Sequence, residues 1–125
     1  LLRLEGRFDE GLVEIEQYLA KSGKNSESLR LRGILLLDLG KPELAVAELK
    51  QSVALNPYDI GAHHKLAQAY QQIGDPGSAK PHLERAQKLT DATYRIGEVQ
   101  QRVRAEPTNA EAIQELKELN AVLGR

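Results

Sequence analysis

The sequence predicts an all-α fold, a right-handed superhelix (solenoid) of antiparallel helical hairpins forming one domain over residues 1–125. Three observations predict it. Gly6, Gly40 and Gly74 recur with a period of 34, and other columns keep the same register. The apolar fraction, 41%, is almost wholly aliphatic, with four Tyr, one Phe and no Trp. Such a core suits helix-on-helix packing better than a sheet, which favours β-branched and aromatic residues. Finally, apolar residues between Ser26 and Leu39 recur at helical spacing, and a glycine and then a proline follow them.

The columns can be read in order. Leu2, Leu36 and Tyr70 align, as do Ile15, Leu49 and Leu83. Gly11, Ala45 and Ala79 are all small, Gly33 aligns with Ala67, and Leu55 with Leu89. Pro42 and Pro76 each stand two residues after their glycine, where a missing N–H costs nothing in the first turn of a new helix. Gly40 and Gly74 suit the left-handed residue that closes a helix. Helices are therefore expected near 8–21, 26–39, 42–55, 60–73 and 76–89, with no strand in the first 90 residues. Residues 1–25 form a truncated first repeat, in which Leu1 to Glu5 end one helix and Phe8 to Lys21 form the next. Residues 26–59 and 60–91 are the second and third repeats. Beyond Asp91 the register weakens. Residues 92–125 read as a divergent, capping helical pair, with helices at 93–105 and 110–123. Pro81 falls inside the second helix of the third repeat. An offset start with Ser78 as cap, or a kink, is expected there.

Leu29, Gly33, Leu36, Ala45, Leu49 and Pro57 in one unit, and Leu66-Ala67, Tyr70, Ala79 and Leu83 in the next, resemble the tetratricopeptide repeat family. His63 and Asp91 depart from its pattern, standing where a large apolar residue and the closing proline are usual. The resemblance covers residues 1 to about 91. It implies a solenoid that binds a protein or peptide along the face formed by the first helix of each unit. On this chain that face carries Arg30, Ile34 and Leu37 from one unit and His64, Lys65, Gln68 and Gln71 from the next. Arg3 is contributed by the truncated unit. Ile34 and Leu37 form an expected apolar centre within a polar rim. Some members of the family clamp a chaperone's terminal carboxylate with Lys, Asn and Arg. Here only Arg30 and Lys65 are basic in that region, and Ile34 and Gln68 hold the asparagine places, so such a clamp is not expected.

Other chemistry finds little purchase. Net charge is −1, from 17 basic and 18 acidic residues, with no basic stripe for a nucleic-acid backbone. Cysteine is absent, which removes disulfides, thiolate metal sites and thiol nucleophiles. The adjacent His63 and His64 point about 100° apart on a helix and cannot close on one metal. The carboxylates, such as Glu14 and Glu16 or Glu115 and Glu118, read as solvated helix faces. No enzyme activity, cofactor or metal is expected. Gly74-Asp75-Pro76-Gly77 is glycine-rich, but the period explains it as a turn.

The expected function is thus a protein–protein interaction module or scaffold. The alternatives are a structural spacer or oligomerisation segment, or an accessory domain of a larger, enzymatic protein. Partners should be proteins or peptides, without nucleic acid or membrane insertion. Self-association through the truncated N-terminal end, where Leu1, Leu2 and Leu4 lack a pairing helix, is a further expectation. The compartment is not legible, and a soluble, cytoplasmic chain is the default.

Overall fold

The computed structural model describes the backbone of residues 2–22 and 25–125, and the side chains of residues 10–18, 20, 21 and 25–125. Six helices follow one another: α1 (Leu2–Ser22), α2 (Ser26–Asp38), α3 (Pro42–Leu55), α4 (Ile60–Gln72), α5 (Pro76–Ala105) and α6 (Ala110–Val122). No strand occurs among the described residues.

The helix ends show why the sequence breaks where it does. Asn25, Asp59 and Asn109 cap α2, α4 and α6, each side chain accepting the N–H three residues on. Such a cap stabilises a helix by about 1 kcal/mol. At the far ends Gly40, Gly74 and Gly124 have φ of 74°, 80° and 77°. Each closes a Schellman turn, in which Lys41 N–H donates to Leu36 O, Asp75 N–H to Tyr70 O and Arg125 N–H to Asn120 O.

Each helix packs on the next in the chain, and α2 also touches α4, the pattern of a solenoid. The core joins Leu36, Leu37, Ala45, Leu49, Leu66 and Ala69 from α2, α3 and α4. Small residues set the approach. A Cβ added to Gly33 would stand 2.5 Å from Leu49 Cγ, so α2 and α3 come too close for any larger residue there. Ser52, fully buried, donates its hydroxyl hydrogen to Ser26 O at 2.8 Å.

Two expected boundaries are corrected. The first is the break at Gly6, because α1 runs through it as one helix of 21 residues. Glycine alone costs only about 1 kcal/mol in a helix, and Gly6 is followed by Phe8 where Gly40 and Gly74 are followed by prolines. The second lies beyond Leu89, where the helices expected at 76–89 and 93–105 are one 30-residue helix, α5. Asp91 stands where Pro57 stops α3, so the chain keeps its helical N–H. Thr90 and Thr93 hydroxyls turn back to Ala86 O and Leu89 O, each at 2.8 Å. Nor does α5 start late. Asp75, not Ser78, is its cap, accepting from Ser78 N–H at 3.2 Å and from the Ser78 hydroxyl at 2.6 Å. Those bonds hold the Asp75 carboxyl below its usual range. Pro81 lies inside α5, where it withholds one N–H from Gly77 O. The expected exposure of Leu1, Leu2 and Leu4, and Arg3 with its place on the ligand face, lie outside the described side chains.

Candidate protein-binding surface

α2 and α4 touch, and the columns expected to bind a ligand stand one repeat period apart on them: Arg30 and His64, Ile34 and Gln68, Leu37 and Gln71. His64, Gln68 and Gln71 are exposed, while Ile34 and Lys65 are half-buried. Lys65 Nζ donates to Gln68 Oε1 at 3.4 Å, one turn on. This is a polar surface around one partly covered aliphatic side chain.

Two of the seven residues are differently employed. The sequence places Leu37 beside Ile34 as an apolar anchor, but it is only 7% exposed and belongs to the core with Leu66 and Ala69. The reason is that α4 covers the C-terminal half of α2, a side that the helical period of α2 alone leaves open. Arg30 reads in the sequence as a donor to a ligand carboxylate. Its Nη1 instead donates to Asp59 Oδ2 at 2.9 Å, while Asp59 Oδ1 caps α4. One carboxylate therefore both starts α4 and ties it to α2.

Sequence reasoning missed a buried polar link between α4 and α5. His63 is buried, and its Nε2 lies 2.8 Å from Pro57 O, an acceptor only. Nε2 must therefore carry the hydrogen, leaving Nδ1 to accept. Nδ1 lies 3.0 Å from Nδ1 of His82 on α5, which must then donate. The His82 ring also stacks on Tyr70. Burial, the neighbouring His63 and the charge of Lys50 push His82 below the usual histidine value. The only sequence signal was His63 standing in the column of Leu29. His64, its neighbour, faces outward. Among the described residues no group of three or more His, Cys, Asp or Glu could hold a metal.

A second network joins α5 to α6. Arg95 Nε and Arg102 Nη1 donate to the two oxygens of Glu115, at 2.8 and 3.0 Å, and Arg95 Nη1 reaches Glu98. The arginines hold the Glu115 carboxyl below its usual range, and Arg95 is in turn held more firmly protonated. The stripe of Ile113, Leu116, Leu119 and Leu123 is half-buried throughout. Among the described residues α6 packs as a helix on α5 alone, so this stripe does not cover Ile34.

Capped helical hairpins stacked in register define a helical-repeat protein, a class that works by presenting a surface. Two family profiles match within it, one described as TPR repeat over residues 33–74 and one as tetratricopeptide repeat over residues 60–93. Residues 33–93 belong to the tetratricopeptide repeat family. It is also similar to cellulose synthase operon protein C of Escherichia coli (strain K12), with 42% identity over 60 residues. That stretch covers 48% of this chain and 5% of the relative. The putative cellulose synthase operon protein C of Escherichia coli O157:H7 matches to the same extent. No solved structure matches significantly. Among the described residues no helix is long and apolar enough to cross a membrane.

Proposed function

We propose that the chain binds a partner protein rather than catalysing a reaction, and that it does so on the face shared by α2 and α4. What supports this reading is the contact of α2 with α4, which carry Arg30 and Ile34, and His64 and Gln68, at equivalent places of the repeat, a half-buried aliphatic side chain among polar groups. Covering apolar surface contributes about 25 cal/mol per Å², and the amides and imidazole can satisfy a backbone laid across them. The ligand class is a helix or extended segment with one or two apolar anchors, because Ile34 is presented beside the exposed Leu31 while Leu37 is buried. A carboxylate on the ligand would meet Lys65 before Arg30, which Asp59 already holds. The relatives' name ties them to a cellulose synthase operon, so cellulose-synthesis proteins are the first partners to test.

The test is a triple substitution, Ile34→Ser, His64→Ala and Gln68→Ala, that leaves Leu37 and the core untouched. Helix content by circular dichroism should be unchanged, and capture of a cellulose-synthesis partner should fall at least about tenfold. Capture at full strength by a folded variant would remove this face as the working surface. The chain would then be a spacer within a longer polypeptide.

A further inference from the structure

His63 of α4 and His82 of α5 stand 19 residues apart in the chain and 3.0 Å apart at their Nδ1 atoms. The ring centres are 5.3 Å apart, so the two Nδ1 atoms lie between them and share one gap. Each ring is held from another side. His63 Nε2 donates to Pro57 O at 2.8 Å, which keeps the hydrogen off its Nδ1. The His82 ring stacks on Tyr70, with centres 6.0 Å apart. In the bare protein His82 fills the gap with its own Nδ1 hydrogen. Moving that hydrogen to Nε2 leaves the ring neutral and turns two lone pairs into the gap.

Two neutral imidazoles so placed meet the demands of a transition metal. A metal-bound histidine commonly donates its other ring N–H to a carbonyl, as His63 does to Pro57 O. An ion about 2.0–2.1 Å from both Nδ1 atoms, with those atoms 3.0 Å apart, makes an N–metal–N angle of about 90–100°. A slight widening of the gap opens it to the tetrahedral angle. The ion lies off the line between the nitrogens, so both rings pivot toward it. His82 is only half-buried, so solvent reaches it and supplies the remaining ligands. The chain has no thiol, and among the described residues no third His or carboxylate completes the set. Imidazole alone selects zinc, copper or nickel over magnesium and calcium, which take oxygen. Lys50 of α3 sets a positive charge against His82, but it is exposed and its amine is free to turn into water. With two protein donors the ion is exchangeable, and the fold stands without it.

We propose that His63 and His82 bind one divalent transition-metal ion through their Nδ1 atoms, clipping α4 to α5. The test is a titration of the intact, metal-free chain with zinc chloride, followed by the imidazole nitrogen resonances and by thermal melts. Zinc should saturate at one ion per chain, shift the Nδ1 resonances of His63 and His82 together, and raise the melting temperature. Magnesium chloride should do none of these. His82→Gln can still donate to His63 Nδ1 but offers no imidazole, and it should weaken zinc binding at least about tenfold. His64→Ala removes the neighbouring exposed histidine and should leave the affinity unchanged. The resonances of the unaltered chain decide the matter even where a variant folds poorly. The proposal is overturned if zinc leaves both Nδ1 resonances in place, or if the folded His82→Gln chain binds it as tightly, for then the pair is a hydrogen bond alone. Loss of binding in His64→Ala equally overturns it, since the ion then sits on the outer face of α4.

Discussion

In the first half of the chain α2 and α4 lie side by side, whereas in the second half α4 and α6 both lie along α5 and do not meet as helices. The two halves nevertheless end their helices alike. α2, α4 and α6 have 13 residues each, an Asn or Asp cap, and a Schellman glycine. What differs is the interval between glycines, which is longer from Gly74 to Gly124 than from Gly40 to Gly74. The sixteen additional residues all lie in one element, since α5 has 30 residues where α3 has 14. The fading of the period after Asp91 is thus a helix prolonged by about four and a half turns. It also moves the stop signal, so that Pro107 closes what Pro57 closes in the earlier unit.

That comparison can be broken outright. Deleting residues 90–105 joins Leu89 to Glu106-Pro107-Thr108-Asn109, just as Leu55 joins Asn56-Pro57-Tyr58-Asp59. The shortened chain should stay helical, lose up to about 24 Å from its longest dimension in solution scattering, and show new contacts between α4 and α6. An unfolded product would mean that α5 beyond Leu89 is indispensable, not an extension of a regular unit.

Next in size is the regular half's core. Leu49 is fully buried against Gly33, and Leu49→Ala should lower stability by about 2–5 kcal/mol in urea denaturation. Leu83 sits in the same column but is 38% exposed, so Leu83→Ala should cost well under half as much. Equal losses would show that the column is uniform and the burial difference immaterial.

A smaller effect follows from the histidine pair that joins α4 to α5. The folded His82 has a lower proton affinity than the unfolded residue. Above the ordinary histidine value neither state is charged and stability is at its full level. As pH falls through that value the unfolded chain takes up the proton first, so stability declines until the folded value is passed. For one proton the slope cannot exceed about 1.4 kcal/mol per pH unit. His82→Gln should flatten the decline between neutral pH and pH 5 in thermal melts. An unchanged slope would assign it to other groups.

The smallest effect compares helix ends. Gly74→Ala should cost about 1–2 kcal/mol, because a Cβ is strained at φ of 80° although nothing lies near it. Gly124→Ala carries the same strain and would also drive a Cβ into the Tyr58 ring, so its loss should be the greater one. An equal loss would show that the Tyr58 ring swings aside without cost.

The helix ends were legible because a cap, a glycine or a proline is a local signal, read from one or two residues. Gly33 and Ala45 were legible as small columns because the period repeats them. The misread boundaries share one cause, since a glycine or a weak column suggests a stop but does not enforce one without a proline. The proposed ligand face is read from the sequence as a set of columns. What those columns did not carry was the neighbour, since Leu37 is covered by α4 and Arg30 is taken by Asp59. Contacts that skip across the period, such as His63 with His82 or Arg30 with Asp59, leave no periodic trace.

The prolonged α5 also sets a length. Stacked helices stand about 8–10 Å apart, so the face made by α2 and α4 alone is some 20 Å across. Since α6 is carried off along α5, that track stops at α4. An extended segment rises about 3.3 Å per residue, so roughly six residues cross the track before their support ends. A regular array would let a ligand run on from unit to unit. On the proposed α2–α4 face, the support for a bound segment therefore ends at α4.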